Sequence, residues 1–176
     1  NAWQEYDYSG ILALATGAGK TITAIYGFLK VFEKKVDANG GRFFLCISVP
    51  YVNLAEQWQE VLRKFSILSI GCFGNREKWL QDLHQEMDEF ELGARNFICV
   101  VSVNRTFSSE HFQSVLSRVP SDDLFFIGDE CHHQTSSTLQ DKLPKARYKI
   151  GLSATPENFF NFEASQRLLD YYGGIA

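Results

Sequence analysis

Short, unbroken apolar runs alternate along this chain with longer segments in which apolar residues recur every three or four positions. The runs cover residues 11–14, 43–49, 67–72, 97–101, 124–128 and 148–152. Runs of this length without polar alternation suit strands covered on both faces. Between them, residues 20–34 place Ile22, Ile25, Tyr26, Leu29 and Phe32 on one helical stripe. Pro50 ends the second strand, and a second stripe follows with Leu54, Ala55, Trp58, Val61, Leu62 and Phe65. A third carries Trp79, Leu80, Leu83, Met87 and Phe90, with Asn75 positioned to cap it. Residues 111–119 predict a short helix stopped by Pro120, and a last helix holds Leu168, Leu169 and Tyr172 with Gly173 as its stop. Residues 37–42, with Asn39, Gly40 and Gly41, read as a flexible connection. This repetition of strand and helix predicts an α/β fold, a mainly parallel sheet with helices on both faces. In such sheets ligands sit beyond the carboxyl ends of the strands.

Composition narrows the class. At 176 residues the chain suits one domain with a full core. Hydrophobic residues make up 45% and charged residues 22%, an ordinary globular balance. The net charge of -4 means that any contact with nucleic acid must be local rather than carried by bulk charge. No stretch approaches the roughly 20 apolar residues of a membrane span. Residues 1–10 do not resemble a signal peptide, and Ile11 is already strand-like, so an excised, cytoplasmic domain is expected. Cys46, Cys72, Cys99 and Cys131 are widely spaced with no C-x-x-C pair. They suit a reducing compartment and give no disulfide framework.

Chemistry concentrates after the first and fifth strands. Ala15, Thr16, Gly17, Ala18, Gly19, Lys20 and Thr21 join the first strand to the first helix. Glycines at Gly17 and Gly19 let backbone N–H groups converge, and the helix start adds positive potential. Lys20 can reach β- and γ-phosphates, and the Thr21 hydroxyl can ligate magnesium. This is the G-K-T end of a P-loop; the glycine expected six residues before the lysine is replaced by Leu14.

Asp129 and Glu130 close the fifth run. One carboxylate there can hold magnesium and its neighbour can activate water, because metal binding wants an ionised ligand and a general base wants a tuned pKa. Cys131, His132 and His133 follow without a second Cys or His pair at zinc spacing. Ser153 and Thr155 follow the sixth strand and offer hydroxyls that a histidine could engage.

Taken together, the segments 15–21, 129–132 and 153–155 resemble motifs I, II and III of superfamily 2 helicases of the DExH type. Residues 151–156 are especially similar to the group containing restriction-enzyme motor subunits and related repair helicases. Val49 and Pro50, followed by Leu54 and Gln57, resemble motif Ia. The resemblance spans about Gly10 to Gly174. It implies a RecA-like P-loop NTPase domain over residues 1–176, the first of two motor domains, the second lying outside the chain. It implies ATP and Mg2+ as ligands and nucleic acid, DNA more than RNA, as partner. It implies that Thr16 to Thr21 bind phosphates, Thr21 and Asp129 hold magnesium, Glu130 and Lys20 act in hydrolysis, and His132, Ser153 and Thr155 couple the nucleotide to strand movement. Pro50, Tyr51 and Gln57 would face nucleic acid. Residues 101–104 read Val-Ser-Val-Asn where similar proteins often have Ser-Thr-Tyr. Without a second domain's arginine finger, the isolated domain is expected to hydrolyse ATP slowly and not to unwind. A small-molecule kinase, a nucleotide-sensing module and a restriction or repair motor that translocates without unwinding are the alternatives.

Overall fold

The computed structural model describes residues 8–13, 19–37, 39–154 and 162–174. Its elements, in order, are β1 (Ser9–Ala13), α1 (Lys20–Phe32), β2 (Phe43–Val49), α2 (Val52–Lys64), β3 (Ile70–Cys72), α3 (Arg76–Glu91), β4 (Phe97–Val103), α4 (Asn104–Phe107), α5 (Glu110–Leu116), β5 (Leu124–Gly128), α6 (Ser137–Gln140), β6 (Tyr148–Ser153) and α7 (Phe162–Tyr172). The strands form one sheet in the order β1-β6-β5-β2-β4-β3, and every neighbouring pair is parallel.

Strand alternation divides the core into two layers. Along β2, Phe43, Leu45, Ile47 and Val49 face one layer, with Ile25 and Phe28 of α1 and Trp58 and Leu62 of α2. Phe44 and Cys46 face the other, with Trp79, Leu83 and Met87 of α3, Phe112 of α5 and Tyr172 of α7. Every residue of β2 is buried, as the absence of polar alternation required. The fold class read from the sequence is therefore the observed one.

Boundaries differ where local bonding competes with pairing. The third strand was expected over 67–72 but pairs only from Ile70. Ile67 is buried, yet its N–H donates to Leu62 O at 3.0 Å, closing the end of α2 instead of joining the sheet. The fourth strand runs on to Val103, and α4 follows it directly. The first helix continues past Phe32 as a wider, π-helical turn, Glu33–Asp37. The expected helix at 111–119 begins one residue earlier and ends at Leu116; Ser109 caps it by accepting from Phe112 N. The Asn75 side chain caps α3 as expected, accepting from Lys78 N at 3.2 Å.

Candidate nucleotide and cation site

The parallel sheet brings the carboxyl ends of β1, β5 and β6 side by side, so the segments after them meet at one end of the molecule. Gly19 immediately precedes α1 in the left-handed conformation, φ 80° and ψ 20°. A side chain there would be strained by about 1–2 kcal/mol. Gly19 O accepts from Thr23 N at 2.9 Å, which starts the helix. Lys20, its first residue, is buried, and Thr21 is half-buried. Residues Ala15, Thr16, Gly17, Ala18 and Thr155 lie outside the described residues.

Asp129 extends the β2–β5 ladder, its N–H donating to Ser48 O at 2.9 Å. Its side chain is 7% exposed. Oδ2 accepts from the Trp58 indole Nε1 at 2.7 Å, and Oδ1 accepts from the Glu130 backbone N–H at 2.9 Å. Burial pushes the Asp129 carboxyl above its ordinary range; the Trp58 hydrogen bond opposes this, the Glu130 charge adds to it, and Lys20 opposes it more weakly. A cation beside the carboxylate would favour the ionised form.

Glu130 has φ 45° and ψ 50°, a left-handed backbone at a non-glycine residue. The turn continues through His133 N to Glu130 O and Gln134 N to Cys131 O, both 2.9 Å. It delivers His132 towards β6, where Nδ1 lies 3.1 Å from Ser153 Oγ and 3.4 Å from Glu130 Oε2. Burial, and then the neighbouring His133, push the His132 pKa down, favouring a neutral ring. Of the three residues expected to couple the nucleotide to strand movement, His132 and Ser153 are thus in contact.

A cavity of about 350 Å³ is lined by Gly19, Lys20, Thr21, Leu54, Gln57, Trp58, Val61, Asp129 and Glu130. Its donor set suits magnesium with phosphates. Mg2+ is usually held by one or two carboxylates plus phosphate oxygens rather than by a full protein cage. Here one hydroxyl, two carboxylates and a lysine share the cavity, and among the described residues no group of three or more His, Cys, Asp and Glu could hold a metal alone.

Of the three residues expected to face nucleic acid, Gln57 lines this cavity. Pro50 is half-buried, and Tyr51 is exposed with its ring edge-on to His133 at 5.6 Å. Trp58 reads in the sequence as one more apolar position of a stripe. The available signal was the indole N–H, which needs an acceptor when its ring is buried.

The family described as "Type III restriction enzyme, res subunit" matches residues 1–158. The chain belongs to this family. Among its relatives, "Putative helicase 22" of Sulfolobus islandicus filamentous virus is 27% identical over 154 residues, which cover 84% of the chain and 24% of that protein. "DNA 3'-5' translocase XPB2" of Sulfurisphaera tokodaii is 28% identical over 160 residues, 89% of the chain and 29% of that protein. The chain therefore spans less than a third of these relatives. In architecture this Res-subunit domain is similar to the helicase domain of Pyrococcus furiosus Hef, with TM-score 0.63 and 16% identity, over 98% of the chain and 35% of that structure. The fold is that of a RecA-like domain, as in superfamily 2 helicases. No helix among its described residues is long and apolar enough to cross a membrane.

Proposed function

We propose that this Res-subunit domain binds ATP and Mg2+ as the first motor domain of a nucleic-acid-dependent ATPase, a helicase or translocase working on DNA. The observation that carries this reading is the meeting of Lys20, Thr21, Asp129 and Glu130, from two separate strand ends, on one cavity. Lys20 places a point charge where β- and γ-phosphates would lie, backed by the start of α1. Thr21 and Asp129 would hold the cation. A bound magnesium ion supplies charge neutralisation at the transferring phosphoryl group. Glu130 accepts a proton from the attacking water, and its left-handed backbone sets the carboxylate's approach. His132 and Ser153 carry a change at Glu130 to the end of β6.

DNA is favoured over RNA because one relative is described as a DNA translocase. A second RecA-like domain would close over the cavity and contribute the arginine finger, worth roughly 10³ to 10⁵ in rate. By this reading the described half binds nucleotide but turns it over slowly by itself. Four buried, unpaired cysteines support work in a reducing compartment. A motor that translocates without unwinding, as in restriction systems, has the same half-site, and strand-displacement assays separate the two.

The test is Glu130→Gln in the full protein. DNA-stimulated ATP hydrolysis should fall by about 10² or more, while ATP binding persists. Hydrolysis at an undiminished rate would remove Glu130 from the mechanism, and with it the reading of this cavity as a hydrolytic site.

A further inference from the structure

We propose that Trp58 is a positioning residue for the Asp129 carboxylate, and that through it helix α2 reports to the cation site. This rests on the cation site proposed above and assigns a role to a residue outside the phosphate loop and the acidic turn.

Three observations carry it. The Trp58 ring is 2% exposed, and its indole Nε1 donates to Asp129 Oδ2 at 2.7 Å across 71 positions of sequence. Asp129 Oδ1 is fixed by the Glu130 N–H at 2.9 Å, so two donors from different elements determine the carboxylate plane. Trp58 also lines the cavity itself, one helical turn from Leu54 and Val61, and next to Gln57, which lines it too. A carboxylate with one accepting direction used on each oxygen keeps a free lone pair on each for a cation. Removing the indole donor would leave the group free to rotate about its terminal torsion, which is broad for aspartate. Partners that orient metal ligands in this way typically contribute 10- to 100-fold in metal affinity.

The same bond gives α2 a route to the site. The helix begins at Val52, directly after Pro50 and the exposed Tyr51, and its Trp58 side chain is the link to Asp129. A contact that shifts α2 therefore shifts the donor of an Asp129 hydrogen bond. This path is separate from the His132–Ser153 contact, which runs through β6 instead. Binding linkage is reciprocal, so a ligand on α2 that alters cation affinity must have its own affinity altered by the cation.

The experiment uses the full protein loaded with ADP and measures Mn2+ binding by electron paramagnetic resonance, with and without duplex DNA. Two variants are compared with the unaltered protein. Trp58→Phe removes the donor and shortens the ring; replacement of Trp58 by 3-benzothienylalanine exchanges the N–H for sulfur and keeps the two-ring shape. The expected result in both is Mn2+ binding weaker by about 10-fold, with metal-free ADP affinity unchanged and the DNA effect on Mn2+ affinity lost. A purely structural Trp58 would lower the melting temperature in Trp58→Phe and leave Mn2+ affinity in the benzothienyl variant untouched, which overturns the proposal. A DNA effect equal in variant and unaltered protein overturns the link through α2. If the unaltered protein binds no Mn2+ in the presence of ADP, the proposed cation site falls as well.

Discussion

Glu130, the proposed acceptor of the water proton, also carries local strain. Its φ of 45° is one of only a few positive values at non-glycine residues among those described. A left-handed L-residue costs roughly 1–2 kcal/mol, and such residues persist where surrounding contacts over-determine them. Here the hydrogen bond from Glu130 N to Asp129 Oδ1 and the closing bond from His133 N to Glu130 O hold the turn. Comparing Glu130→Gly with Glu130→Ala isolates the backbone, since both remove the carboxylate. Glu130→Gly should be the more stable of the two by about 1 kcal/mol in denaturant unfolding, and both should be inactive in hydrolysis. Equal stabilities would mean that the turn is unstrained. The sequence showed the carboxylate pair but not this conformation, because nothing in a Gly-Asp-Glu-Cys string distinguishes a left-handed glutamate from an extended one. It likewise showed Trp58 as an apolar position and hid its hydrogen bond, whose acceptor is 71 residues away.

At the level of elements, strand β5 and helix α7 meet through one small residue. A Cβ at Gly128 would collide with Tyr172 Oη and lie 2.8 Å from Gln134 Nε2. Tyr172 donates its hydroxyl to Gln134 Oε1 at 2.7 Å, and both side chains are fully buried. The last helix is thereby bonded to the turn that follows the acidic pair, a connection that apolar periodicity does not encode. Gly128→Ala should destabilise the fold by about 1–3 kcal/mol, the usual cost of overpacking. Tyr172→Phe should cost about 1–3 kcal/mol by leaving buried Gln134 without its donor. The two changes share one space, so the double variant should lose less than the sum, with a coupling of about 0.5 kcal/mol or more. Strict additivity in chemical denaturation would show that the hydroxyl does not occupy the space above Gly128. Periodicity did locate the strands and the long helices. It missed α4, whose Asn104–Phe107 turn is too short to show a stripe, and it overran β3, where Ile67 is apolar yet bonded to the end of α2.

Across the whole molecule, two apolar layers enclose the sheet and all four cysteines lie in one or the other. For Cys46, Cys72 and Cys99, which lie in apolar runs long enough to be covered on both faces, a place in the core was legible from the sequence; for Cys131, which follows the acidic pair, it was not. What followed from packing alone is their chemistry. Burial pushes the Cys131 thiol up to about 12, helped by the charges of Asp129 and Glu130, and burial raises Cys46, Cys72 and Cys99 further. An unfolded chain would release these protons near the ordinary thiol pKa of about 8.5. Each group therefore contributes stability that is fully present below about pH 8.5 and is lost as pH rises towards the folded value. Half-buried Tyr171 and buried Tyr172, also raised by desolvation, act in the same direction above their own unfolded pKa. The expected outcome is a melting temperature that declines as pH rises from 8 to 10, with Cys131→Ala flattening part of the decline; the limiting slope for one thiol is about 1.4 kcal/mol per pH unit. Because the thiolate is the nucleophile, an aromatic disulfide reagent should leave the native domain unlabelled and modify the cysteines only at the rate of unfolding. Rapid labelling of even one thiol at pH 8, or a melting temperature flat from pH 8 to 10, would contradict the sealed two-layer core beneath the proposed nucleotide site.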